Sequence, residues 1–238
     1  MHSFVNKSPR ALPPHRGLLL CLTLLYALSG AVGLCAAEPN RWESAIEQFE
    51  QSDAEHPPEK GGTLFVGSSS IRFWRLDDSF PQLHALNRGF GGSEIADSIH
   101  YFDRIVAPYE PRTIVLYAGD NDIDGGKSAD EVVADFKTFA AKVHKSLPET
   151  RLLFIAVKPS IARWKLYDKM YKANAAIKAQ CDTDPLLTYV DIATPMLGAD
   201  GKPREELFIQ DGLHLNADGY ALWAKILEPL LAEGEPQP

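Results

Sequence analysis

The chain has 238 residues, 45% of them hydrophobic and 24% charged, and a formal net charge of −8. That balance describes a globular protein with a sizeable core, and its acidity argues against nucleic acid and anionic lipid headgroups as partners. Two of its cysteines, Cys21 and Cys35, lie in the leading segment; Cys181 alone follows it, so the rest of the chain forms no internal disulfide and relies on packing.

Lys7, Arg10 and Arg16 precede an uncharged, leucine-rich stretch over 17–37 that ends in Cys35-Ala36-Ala37 before Glu38. A basic start, an apolar middle and small residues at the cleavage positions read as a secretory signal peptide over 1–37. The remaining 38–238 then form one domain of an exported protein, periplasmic or secreted, with no stable membrane insertion after cleavage. Two alternatives stand beside this. The apolar stretch is long enough to remain as an anchor, and Cys35 invites lipidation, although Leu34 is not the small residue that such a site wants.

Past this point, 41–51 reads as a leading helix. Apolar runs over 63–66, 84–87, 113–117, 152–157 and 187–190 are mostly continuous rather than alternating, the pattern of strands buried on both faces. Between and after them come helical patterns over 95–106, 129–146, 166–179 and 217–231, with Ser128 and Asn216 placed as N-caps of the last members of each half. Strand alternating with helix predicts right-handed βαβ units and a parallel sheet of about five strands, an α/β fold. In such a sheet the loops at the carboxyl ends of the strands gather along one edge, where ligands bind.

Four short patches fall on that edge. Gly67-Ser68-Ser69-Ser70 follows the first strand and offers a serine hydroxyl on a tight turn; its plainer reading is a serine-rich cap of the next helix. Gly91-Gly92-Ser93 follows the second, where glycines allow a backbone N–H to approach a ligand. A dinucleotide loop fits poorly here, because the third glycine of G-x-G-x-x-G falls at Glu94. Gly119-Asp120-Asn121-Asp122 closes the third strand, and an asparagine amide there can donate to a developing oxyanion. The same stretch, with Asp124, Gly125 and Glu131, has the spacing of a calcium loop, but it follows a strand rather than a helix and carries Lys127 at a normally apolar position. Asp211-Gly212-Leu213-His214 precedes the last helix: the carboxylate can hold one imidazole nitrogen while the other meets a hydroxyl. Histidines at metal-ligand spacing are missing from the sequence, so the chemistry calls for neither metal nor cofactor.

These four blocks resemble the GDSL, or SGNH, family of serine esterases and lipases over nearly all of 38–238. The resemblance implies a flavodoxin-like three-layer α/β/α sandwich. It implies Ser69 as nucleophile, His214 as base, Asp211 as its orienter, and an oxyanion hole made by Ser69, Gly92 and Asn121. The first block departs from the family: Ser68 stands in place of its aspartate and Ser70 in place of its leucine or isoleucine, which leaves Ser68 as an alternative nucleophile. Phe73, Trp74, Phe90 and Trp164 are candidates to line a substrate pocket, Phe90 and Trp164 foremost, against the alternative that they are core. The segment 158–164 is a candidate rim or lid. The expected activity is hydrolysis of small or carbohydrate-linked acyl esters. A lysophospholipase or thioesterase of the same family, and a non-catalytic binder of acylated glycans, are the alternatives.

Overall fold

A computed structural model describes residues 1–3 and 41–232, so the expected leader over 1–37 lies, but for its first three residues, outside the described ones. Everything below concerns the unit Ala37–Pro238. It opens with helix α1, Glu43–Glu55, and strand β1, Thr63–Gly67. Two short helices, α2 (Ser69–Arg72) and α3 (Leu76–Ser79), lead to β2, Ala85–Gly89. Helices α4 (Ile95–His100) and α5 (Phe102–Ile105) precede β3, Thr113–Tyr117. Then come α6 (Asp120–Asp124), α7 (Ala129–Ser146), β4 (Arg151–Ile155), α8 (Tyr167–Cys181), β5 (Leu187–Val190) and α9 (Ala217–Ala232).

The five strands pair in the order β2-β1-β3-β4-β5, all parallel. Their side chains alternate between two cores. Leu64 and Val66, Ile114 and Leu116, Leu152 and Phe154 face one cluster, to which α1, α4, α5, α7 and α8 contribute Ile46, Ile95, Phe102, Phe136 and Ile177. Phe65, Val115, Leu153 and Ile155 face the other, closed by Leu76, Trp223 and Leu227 of α3 and α9. A sheet packed on both faces is the predicted three-layer sandwich, and it explains why the central strand runs, such as 64–66 and 114–116, are continuously apolar. Chain order reverses at β1, which has β2 on one side and β3 on the other, so the loops after these three strands converge on the switch point.

Helix α7 spans the predicted residues, and its start is fixed as expected: Ser128 Oγ accepts from the Glu131 N–H while Glu131 Oε2 accepts from the Ser128 N–H. Asn216 Oδ1 likewise accepts the Gly219 N–H at the head of α9. The single helix expected over 95–106 is two. The backbone resets at Tyr101 (φ −89°, ψ 6°) while Ile95, Phe102 and Ile105 keep facing the core. Because the apolar spacing continues across the break, periodicity alone hides it. A helical turn, α6, also takes the place of the loop expected at Asn121.

Candidate active site

The site begins where β1 ends. Gly67 has φ 136°, and a Cβ there would lie 1.9 Å from the Tyr117 carbonyl oxygen, so only glycine lets the chain cross β3 this closely. The turn is pinned by the Ser68 N–H donating to the Tyr117 carbonyl (2.9 Å) and leads straight into α2, which starts at Ser69. Two side chains from elsewhere hold this turn. Asn87 Nδ2 donates to the Ile71 and Trp74 carbonyls (2.8 and 3.2 Å), and Tyr220 Oη on α9 donates to the Ser70 carbonyl (2.9 Å). Ser68 and Ser70 are buried, 0% and 1% exposed, with no hydrogen-bond partner for either Oγ; Ser69 alone of the three reaches the surface. The two substituted positions of the first block are therefore buried beneath the turn.

Ser69 Oγ lies 3.0 Å from His214 Nε2, and His214 Nδ1 lies 2.6 Å from Asp211 Oδ2. The other Asp211 oxygen accepts the Leu213 and His214 N–H groups at 2.8 and 2.9 Å. Burial raises the Asp211 carboxyl, but the His214 ring and the two amides outweigh it and hold the group down at about 2. An ionised Asp211 fixes the proton on Nδ1, leaving Nε2 with its lone pair toward the serine hydroxyl.

Three donors stand at the same edge. The N–H groups of Ser69 and Gly92 have no hydrogen-bond partner among the described residues. Asn121 Nδ2 donates one hydrogen to the Ser93 carbonyl (2.9 Å), which locks the glycine loop to α6 and leaves the second hydrogen available. Asp122 reinforces this junction: its Oδ1 accepts the Ile95 N–H (3.2 Å) and pairs with Lys127 (3.1 Å). Burial pushes the Asp122 carboxyl up to about 6, against the pull of Lys127. Behind α6, Lys158 is 1% exposed; its Nζ donates to Asp120 Oδ2 and Tyr117 Oη, both at 3.0 Å, and Arg163 pairs with Asp120 and Asp124. The carboxylates at calcium-loop spacing are thus taken up by side-chain cations, Asp120 by Lys158 and Arg163, Asp122 by Lys127 and Asp124 by Arg163, and Glu131 caps α7.

Phe90, expected at a pocket wall, lines the cleft between α1 and the end of β2. It is 1% exposed and packs edge-on against Trp42 and Tyr101, because its N–H donates to the Gly67 carbonyl and draws its backbone under the sheet edge. Trp74 is also core. Trp164 stacks on Tyr167 (centroids 4.6 Å apart). Phe73 is the aromatic at the site: 51% exposed, it stands edge-on to the His214 ring at 5.2 Å. The 158–164 segment is rim only in part. Ala162 N–H donates to the Gly212 carbonyl, bracing the histidine loop, whereas Lys158 is an interior post. Asn87, Tyr220 and Lys158 went unread as supports. Lys158 left a trace, a charge placed directly after the apolar run 152–157.

The family model for GDSL-like lipases/acylhydrolases matches residues 66–222. The fold is similar to that of a Streptococcus pneumonia protein named for platelet activating factor (21% identity, TM-score 0.71, covering 79% of this chain and 92% of that one). It is also similar to a GDSL-like lipase from Bacteroides thetaiotaomicron (18%, 0.69, 80% and 98%) and an acetylxylan esterase from Geobacillus stearothermophilus (13%, 0.59, 76% and 99%). No curated protein matches the chain by sequence. With two thirds of its length, from the last residues of β1 into α9, matched by one family, the chain belongs to the GDSL-like lipases/acylhydrolases and is a carboxylic-ester hydrolase.

Proposed function

We propose that the protein is an exported serine esterase that removes small acyl groups, including those carried on carbohydrates, through an acyl-enzyme. The observation that carries this reading is the chain of contacts Asp211 to His214 to Ser69, at 2.6 and 3.0 Å. Ser69 Oγ attacks the ester carbonyl as its proton passes to His214 Nε2, and Asp211 stabilises the imidazolium that results. The oxygen that becomes negative is met by the N–H groups of Ser69 and Gly92 and the amide of Asn121. His214 then gives its proton to the departing alcohol, and a water activated by the same ring releases the acyl group.

The likeness to a protein named as an acetylxylan esterase supports short acyl groups on sugars, and the leader read in the sequence supports export. The test is turnover of short p-nitrophenyl esters by the 38–238 protein and by Ser69→Ala, with a fluorophosphonate probe and peptide mapping. Turnover abolished in the variant and label on Ser69 are expected. Label on Ser68 overturns the assignment of the nucleophile, and a protein with neither turnover nor label is a binder of acylated glycans instead.

A further inference from the structure

The protein is acidic overall, with a formal charge of −8, yet two guanidiniums next to the proposed nucleophile have no hydrogen bond or ion pair among the described residues. Among the described residues the other arginines all have a hydrogen bond or an ion pair, as Arg88 has with Asp53 and Arg104 with Glu43 and Glu50. Arg41 and Arg72 are the exceptions; both are exposed.

Their position is given by the glycine loop. A Cβ built on Gly91 would lie 3.2 Å from Arg72 Nη1 and 3.9 Å from the Ser69 Cβ, and one built on Gly92 would lie 3.6 Å from Arg41 Nη2. The two cations therefore straddle the glycine pair that supplies the oxyanion amide. Each is propped on an aromatic ring, Arg41 over Trp42 (4.3 Å) and Arg72 beside Phe73 (5.8 Å). A ring face orients a guanidinium without neutralising it or engaging its N–H donors. A cleft of about 490 Å³ opens between α1 and the end of β2, lined by both arginines together with Ser44 and Gln48. Two like charges held this close to one loop repel each other, and an anion between them relieves that repulsion while filling two planar forks that match its oxygens.

We propose that Arg41 and Arg72 form an anion subsite, and that the natural ester carries a carboxylate or phosphate beside the acyl group that is removed. Ser44 and Gln48 supply hydroxyl and amide partners for the polar frame that bears this anion. The proposal rests on the serine-esterase reading of Ser69 and deepens it to a substrate class.

The test compares acetate release from matched pairs: acetylated glucuronic acid against acetylated glucose for a carboxylate, and acetylglycerol phosphate against acetylglycerol for a phosphate. The readout is the ratio of kcat/KM within each pair. At least one ratio is expected to exceed about tenfold, the scale of a charge-assisted hydrogen bond. It should collapse toward one in Arg41→Gln/Arg72→Gln, recover in part in Arg41→Lys/Arg72→Lys, and fall with rising salt. The pair that shows the preference names the anion. Ratios near one in the wild type, or ratios unmoved in the double glutamine variant, overturn the subsite. Turnover of p-nitrophenyl acetate tests the esterase reading separately. Should that fail, calorimetric binding of acetylated glucuronic acid and acetylglycerol phosphate to Ser69→Ala, with and without the arginines, still decides: binding lost with the arginines upholds the subsite, and binding absent or indifferent to them refutes it.

Discussion

Replacing Lys158 with methionine removes the cation that stands between β3 and the Asn121 turn. Its ammonium and the Asp120 carboxylate are 3.0 Å apart, with side chains only 1% and 6% exposed. At an effective dielectric of about 20 their attraction is roughly 5–6 kcal/mol before desolvation is set against it. Removing one partner of such a buried pair typically costs about 3–5 kcal/mol. Arg163 stays 3.1 Å from the same oxygen, so the loss belongs at the lower end, about 3 kcal/mol. Burial alone would raise the Asp120 carboxyl, but Lys158 and Arg163 outweigh it and hold it below its ordinary value. The stability this contributes is present above the ordinary carboxylate range and is lost as pH falls through the lowered value. In Lys158→Met the carboxyl moves up, so the deficit is largest at neutral pH and shrinks in acid. Urea denaturation of the wild type, Lys158→Met, and Lys158→Met/Asp120→Asn from pH 4 to 8 reads this directly. The double variant is expected to regain much of the loss. A single variant within about 1 kcal/mol of wild type at pH 7, or a double variant no more stable than the single, refutes the account.

Asn121→Ala is expected to lower kcat by about a hundredfold to a thousandfold with little change in KM, the effect of losing one oxyanion donor; steady-state kinetics on a p-nitrophenyl ester checks it. Asp122 has the opposite pH signature to Asp120: its carboxyl rises from 3.8 to about 6 on folding, so the folded state binds the extra proton and stability falls as pH climbs through that window. The contribution is roughly 3 kcal/mol, and Asp122→Asn, which keeps an oxygen for the Ile95 N–H, should flatten the fall in denaturation midpoints between pH 4 and 6. Gly67→Ala forces a Cβ to 1.9 Å from a backbone oxygen and should abolish the cooperative transition seen by circular dichroism, whereas Gly126→Ala, also at positive φ but with open space around it, should cost only about 1 kcal/mol.

The sheet was legible because strands buried on both faces leave an unbroken apolar run, as in 113–117, and helix starts were legible where a capping box stands in the sequence, as at Ser128. The four site patches were legible for a related reason: each ends or follows a strand, and a parallel sheet sends every such end to one edge. Aromatic side chains were harder to read, since Phe73 and Phe90 have the same chemistry and differ in which way the backbone turns after β1 and β2, which leaves Phe73 exposed and Phe90 buried. The break at Tyr101 was hidden because a burial pattern records facing, not continuity. Arg41 and Arg72 left no signal at all, because being unpaired is a property of neighbours distant in the chain.

Ser69 and His214, the proposed nucleophile and base, lie 145 residues apart in the chain, the first just past the opening strand and the second on the loop before the closing helix. On the proposed mechanism a nascent polypeptide holds an inert serine through most of its synthesis and gains hydrolytic power only when its last segment emerges and docks. The same geometry makes the chain divisible: cut between β5 and the histidine loop, neither piece can hydrolyse an ester, and activity would report their reunion.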